Sequence, residues 1–150
     1  MMRQILPTEE PPAEPTDGPT VQLHFLVVDD SEDIRDVFCR LVERAGHRVS
    51  TADDGLHAVQ ALQRDTFDVM LLDLTMPRMD GVDVVRWLRA HPDVAPDMRV
   101  VVVSAWAGEN RAVLQELGVL EVMQKPLRIH QLTMLVAQTL RDLETSTRGA

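Results

Sequence analysis

The sequence predicts an α/β domain: a five-stranded parallel sheet with five helices wound over both its faces. Two observations carry this expectation. Short apolar runs alternate with amphipathic stretches along nearly the whole chain, the pattern of strands followed by helices. Parallel neighbours also need a covering crossover helix, so the regular alternation favours one doubly wound sheet over separate layers.

The elements follow in order. Leu23 to Val28 is an apolar run ending in Asp29-Asp30, fit for a strand buried on both faces. Ile34, Val37, Phe38, Leu41, Val42 and Ala45 then recur at helical spacing, and Gly46 stands where a helix C-terminus accepts a left-handed residue. His47 to Ala52 suits a second strand and Leu56 to Gln63 a second helix. Val69-Met70-Leu71-Leu72 makes a third strand that runs straight into Asp73. Gly81 opens a helix carrying Val84, Val85 and Leu88. Val100 to Val103 is an unbroken valine run, the clearest buried strand. A helix around Arg111 to Leu117 and a short strand from Val119 to Met123 come next. The last helix places Leu132, Leu135, Val136, Leu140 and Leu143 on one face.

The domain is expected to span residues 23–143. Residues 1–22 form a proline-rich acidic tail: PTEEPPAEPTDGP, from Pro7 to Pro19, has no large apolar residue and cannot offset its ordering entropy. Residues 144–150 are polar and are expected to fray. No apolar run approaches the ~20 residues that span a bilayer, and the N-terminus does not read as a signal peptide. The net charge is −9; the tail sets Arg3 against Glu9, Glu10, Glu14 and Asp17, which leaves −6 for the rest. An acidic domain without a basic cluster disfavours nucleic acid and anionic membranes and favours a protein partner. The lone Cys39 reads as a small core hydrophobe in a reducing compartment.

In doubly wound sheets the binding crevice lies beyond the C-terminal strand ends. Asp29, Asp30, Asp73, Ser104 and Lys125 fall there. Crowded carboxylates repel one another unless a cation shares them, and an oxygen-rich set with few side chains suits magnesium. Zinc would want His or Cys ligands, and the histidines are scattered without ligand spacing. A carboxylate can act as the nucleophile of phosphoryl transfer, with Lys125 supplying positive charge and Ser104 a hydroxyl donor.

Phe25-Leu26-Val27-Val28-Asp29-Asp30-Ser31, Leu71-Leu72-Asp73-Leu74-Thr75-Met76-Pro77-Arg78-Met79-Asp80-Gly81, Val103-Ser104-Ala105 and Lys125-Pro126 resemble the signature stretches of response-regulator receiver domains, in their order and spacing. The resemblance implies a flavodoxin-like sheet of strand order 2-1-3-4-5. It implies that Asp73 is the phosphoacceptor and that Asp30 and Asp73 ligate Mg2+. Asp29 would act through a metal-bound water and Thr75 through its backbone carbonyl. Lys125 would neutralise the phosphoryl group, Ser104 would swing in to hydrogen-bond it, and the Lys125–Pro126 bond would be cis. The implied partners are a sensor histidine kinase or a histidine phosphotransfer protein, and a downstream protein target. The implied setting is cytoplasmic, and the implied role is a phosphorelay switch rather than an enzyme with its own substrate.

Other readings compete. Singly, Asp29 and Ser31 could cap a helix, Asp73 could begin a turn, and Lys125 could be an ordinary surface lysine. A degenerate receiver could serve as a phosphorylation-independent scaffold. A nucleotide- or flavin-binding protein would want a glycine- or hydroxyl-rich loop where Asp29-Asp30-Ser31-Glu32-Asp33 would repel phosphate. An aspartyl phosphohydrolase would want Asp-x-Asp after the first strand. With no further apolar pattern after the last helix, a DNA-binding output is not expected. Two positions depart from the family pattern: Val122 replaces the usual aromatic before the lysine, and Trp106 follows Ser104 by two. Trp106 is expected to shield the acceptor from water, the alternative being an outward ring on a partner-binding face.

Overall fold

The structure, a computed structural model, describes residues 22–106, 108–119, 121–126 and 128–149. The expected tail falls almost wholly on residues 1–21, outside the described residues. Among the described residues ten elements alternate: β1 (His24–Val28), α1 (Glu32–Arg44), β2 (Arg48–Ala52), α2 (Gly55–Arg64), β3 (Val69–Leu72), α3 (Gly81–Ala90), β4 (Arg99–Ser104), α4 (Arg111–Glu116), β5 (Glu121–Gln124) and α5 (Ile129–Gly149). The sheet is parallel throughout, in the order β2-β1-β3-β4-β5, as the resemblance implies.

Strand periodicity divides the core into two layers. Leu26, Val28, Met70, Leu72 and Val102 pack with α2, α3 and α4 through residues such as Ala58, Val84 and Leu114. Phe25, Val27, Val69, Leu71, Val101 and Val103 face the other way, onto Phe38 and Val42 of α1, with Leu135 and Leu140 of α5 behind them. Because both faces are covered, the inner strands read as continuous apolar runs rather than alternating ones.

Polar residues at the helix starts then fix where the chain turns. Ser31, Asp54 and Asp80 are the N-caps of α1, α2 and α3, each accepting a backbone N–H from three residues on. Gly46, with φ +89°, follows α1 as its spacing suggested.

Three local readings change. The fifth strand begins at Glu121 rather than Val119, because the Val119 N–H closes the end of α4 on the Leu114 carbonyl (2.9 Å) and is unavailable to the sheet. The last helix continues to Gly149, past the expected boundary at Leu143: the segment is polar but holds no proline or glycine to stop it before that point. Cys39, midway along α1, is only partly buried, and burial there raises its thiol above the usual range.

Candidate phosphoacceptor site

The strand register delivers the acids together. Val28 pairs with both Ala52 and Leu72, so Asp29 and Asp73 leave adjacent strands at the same level. The Asp73 N–H donates to the Val28 carbonyl at 2.9 Å and the Asp29 N–H to the Ala52 carbonyl at 3.2 Å. Carboxylate oxygens of Asp29, Asp30 and Asp73 lie within 4.8 Å of one another. Asp29 and Asp73 are 4% and 5% exposed, whereas Asp30 faces solvent.

One cation is built into the group. Lys125, directly after β5, places Nζ 2.8 Å from Asp29 Oδ2 and 3.5 Å from Asp73 Oδ1. Asp29 Oδ1 accepts the Ser31 N–H at 2.9 Å, and its carbonyl accepts Arg35 Nη1 at 2.6 Å. Burial, then the charge of Asp29, pushes the Asp73 carboxyl up to about 6, although Lys125 and the Thr75 backbone N–H pull the other way. Burial alone would lower Lys125; the hydrogen bond and charge of Asp29, followed by Asp73, outweigh it and hold the ammonium above its usual range.

These residues fit a hard divalent cation. Three clustered carboxylates against one ammonium leave excess negative charge, and the charge of Asp29 adds to burial in raising Asp73. An all-oxygen set with one face open at Asp30 suits Mg2+, which keeps several waters.

The structure therefore brings Asp29, Asp30, Asp73 and Lys125 together. Thr75 sits exposed on the loop after Asp73, tied to that carboxylate by its N–H. Ser104 is fully buried at the end of β4, and its Oγ accepts the Trp106 N–H at 3.1 Å while its carbonyl accepts the Lys125 N–H at 2.9 Å. The Lys125–Pro126 bond is cis. Val122 is half-buried and packs on the core layer of α2, α3 and α4. Trp106 is 51% exposed, which favours the outward alternative over a shield.

Sequence reasoning missed the supports of the loop after Asp73. At Gly81 an added Cβ would stand 2.4 Å from the Asp73 carbonyl oxygen, so only glycine lets α3 start this close. Asp54, 2% exposed, accepts Arg78 Nε at 2.7 Å. An Asp-Gly pair before an apolar helix marks Asp54 as a cap, but nothing in sequence spacing joins it to Arg78.

Comparisons with known proteins bear on the family and the fold. The family model described as Response regulator receiver domain matches residues 25–137. Response regulator MprA of Mycobacterium leprae is 31% identical over 120 residues, covering 79% of this chain and 51% of that protein. The alginate biosynthesis transcriptional regulatory protein AlgB of Pseudomonas aeruginosa is 34% identical over 128 residues, covering 85% of this chain and 28% of its own length. The chain thus spans about half the length of these relatives, or less. Among solved structures, the chemotaxis response regulator CheY4 of Vibrio cholerae aligns at TM-score 0.72 and 26% identity, over 79% of this chain and 99% of that one. A CheY-like receiver domain protein of Methanospirillum hungatei aligns at TM-score 0.74 and 24% identity, over 84% and 99%, which speaks to the fold.

Proposed function

The chain belongs to the response-regulator receiver family, and from that premise we propose that Asp73 accepts a phosphoryl group in a Mg2+-dependent reaction and relays the signal to a protein partner. The observation that carries this reading is the buried Asp73 carboxylate set 3.5 Å from Lys125 Nζ and clustered with Asp29 and Asp30.

At neutral pH an acid held near 6 is mostly ionised, so an Asp73 oxygen is available as the nucleophile. It attacks the phosphorus of a phosphohistidine on a sensor kinase or phosphotransfer protein. The new P–O bond gives an acyl phosphate, the P–N bond breaks, and the imidazole leaves with the bonding electron pair. Asp29, Asp30 and Asp73, with the Thr75 carbonyl, would hold Mg2+, which supplies charge neutralisation for the phosphoryl oxygens. Lys125 shifts its donation from Asp29 toward a phosphoryl oxygen, and the Ser104 hydroxyl takes another.

The downstream partner is a protein rather than a nucleic acid or membrane. Support comes from the acidic balance and from large apolar side chains left in solvent: Trp106, Ile129 at 72% and Met134 at 65%. The cytoplasm is the proposed setting, since a phosphoryl donor of this kind is made there; no described helix is long and apolar enough to cross a membrane.

The test is intact mass after treatment with Mg2+ and a small phosphodonor. Wild type should gain one phosphoryl group and lose that gain when the metal is chelated. Asp73→Asn should gain none. A gain in Asp73→Asn would overturn the acceptor assignment, and no gain in wild type or with a purified phosphohistidine donor would leave the scaffold reading.

A further inference from the structure

Asp54 and Arg78 form an ion pair that the phosphoryl chemistry above does not use. The Asp54 side chain is 3% exposed and accepts two donors on one oxygen, Arg78 Nε at 2.7 Å and Arg78 Nη2. Its other oxygen caps α2 by accepting the His57 N–H at 2.8 Å. Burial alone would raise this carboxyl; the His57 N–H and the Arg78 guanidinium outweigh it and hold it below the usual carboxylate range. Arg78 reaches it from a backbone with φ +67°, a region that disfavours side chains other than glycine and asparagine.

The pair does not stand alone. One residue along on each segment, the Gly55 N–H donates to the Met79 carbonyl at 3.0 Å. A Cβ on Gly55 would lie 2.2 Å from that same oxygen, so the two backbones touch. The loop from Asp73 to Gly81 is therefore fastened to the start of α2 by a side-chain link and a backbone link. Two residues before Asp54, the Ala52 carbonyl accepts the Asp29 N–H. A closed circuit results: Asp29 to Ala52, Asp54 to Arg78, and back along the loop to Asp73, whose N–H returns to Val28.

We propose that the Asp54–Arg78 pair is a positioning clamp that fixes the loop bearing Asp73 and Thr75 against the segment bearing Asp29 and Asp30, and so sets the site's affinity for Mg2+. Neither residue touches the reacting atoms. A local fold requirement would be met by the Gly55–Met79 bond and the helix cap alone. Two guanidinium donors converging on one carboxylate oxygen add orientation to a loop that otherwise holds a left-handed arginine, and orientation of the ligating loop is what a supporting contact contributes to a metal site. The inference rests on the reading of Asp73 as a Mg2+-dependent acceptor.

The test uses the full chain as wild type, Arg78→Gln, Arg78→Lys, Asp54→Asn (which keeps the cap oxygen) and the Arg78→Gln/Asp54→Asn double variant. Mg2+ is titrated while the backbone amides of Asp30 and Thr75 are followed by NMR. Amide exchange of Gly55 and Thr75 is measured without metal. The clamp requires Mg2+ binding about tenfold weaker in Arg78→Gln and in Asp54→Asn, the lower end for lost supporting contacts. The double variant should be no weaker than either single one, and Arg78→Lys should fall between, since it keeps charge but loses the fork. Exchange at both amides should quicken in the same order. A purely structural pair would lower the melting temperature and leave Mg2+ affinity of the folded protein within twofold of wild type, which overturns the clamp. Additive losses in the double variant, or unchanged exchange at Gly55 and Thr75, overturn it as well. Should Arg78→Gln not fold, Arg78→Lys carries the same comparison. Wild type that binds no Mg2+ defeats the acceptor reading itself, an outcome visible before any variant is made.

Discussion

Lys125 Nζ donates to Asp29 Oδ2 at 2.8 Å, so the resting partner of this lysine is an acid of the cation cluster. The proposed acceptor Asp73 stands farther off, at 3.5 Å from the same nitrogen.

Lys125→Ala should therefore be felt first at Asp29, which would keep its buried charge and lose its cation. The expected loss at pH 7.5 is about 2 kcal/mol, below the ~3–5 kcal/mol of fully buried pairs because Lys125 is partly exposed. Urea unfolding measures it. The same change removes an influence that lowers Asp73, so the Asp73 carboxyl should titrate above its present value of about 6 in carbon-detected NMR. Unchanged titration would show that Lys125 does not act on the acceptor.

Asp73 should make the apo protein less stable as pH rises. Its carboxyl is held near 6 in the fold against 3.8 when free, so the native state binds the proton more tightly than the unfolded chain. That contribution is fully present below pH ~4 and is lost as pH climbs through 6. Asp73→Asn carries no charge at any pH and should exceed wild type in stability at pH 8 by on the order of 3 kcal/mol. The difference should close toward pH 4. Denaturant midpoints at pH 4, 6 and 8 test the trend, and a gap independent of pH would contradict it.

Mg2+ should raise the melting temperature of wild type, worth about 2.7 kcal/mol at a hundredfold excess over Kd. The effect should weaken below pH 6, where Asp73 binds a proton instead. Asp30→Ala alters a solvent-facing residue and should fold normally, with no stabilisation by Mg2+. Equal stabilisation of both proteins would remove Asp30 from the metal site.

Ser104 Oγ accepts the Trp106 N–H at 3.1 Å, a bond that breaks if the side chain swings its oxygen away toward a phosphoryl group. Phosphorylation should then shift the Trp106 amide resonance and speed its exchange, with a cost of about 1 kcal/mol for the lost bond. Ser104→Ala should show no such response. Because the indole is half in solvent, Trp106→Ala should leave the phosphoryl decay rate unchanged; faster decay would restore the shield that the sequence suggested.

The sheet was legible because burial on both faces writes itself as unbroken apolar runs, Val100 to Val103 above all, and the site was legible because such strands end at one level. What escaped notice is held by contacts between distant segments. Asp54 and Arg78 are 24 positions apart, on a helix cap and a loop, and neither position has a periodicity that predicts the other. Val119 reads as strand by composition, yet a single hydrogen bond to Leu114 claims it for the helix before. The resting partner of Ser104 was likewise unreadable, since a hydroxyl at a strand end declares a donor but not its idle acceptor role.

Arg99, at the opposite end of β4 from Ser104, donates to Glu121 at 2.6 and 2.5 Å and to Asp142 on α5 at 2.9 Å. That latch gives β5 a datum. The strand is four residues long and lies at the sheet margin, where slippage by one step is easiest, and such a step would set Gln124 or Pro126 in place of the lysine. The strand works as a ruler with Arg99 at its zero mark: where the ammonium arrives is calibrated at the start of β5, about 13 Å along the strand from Lys125.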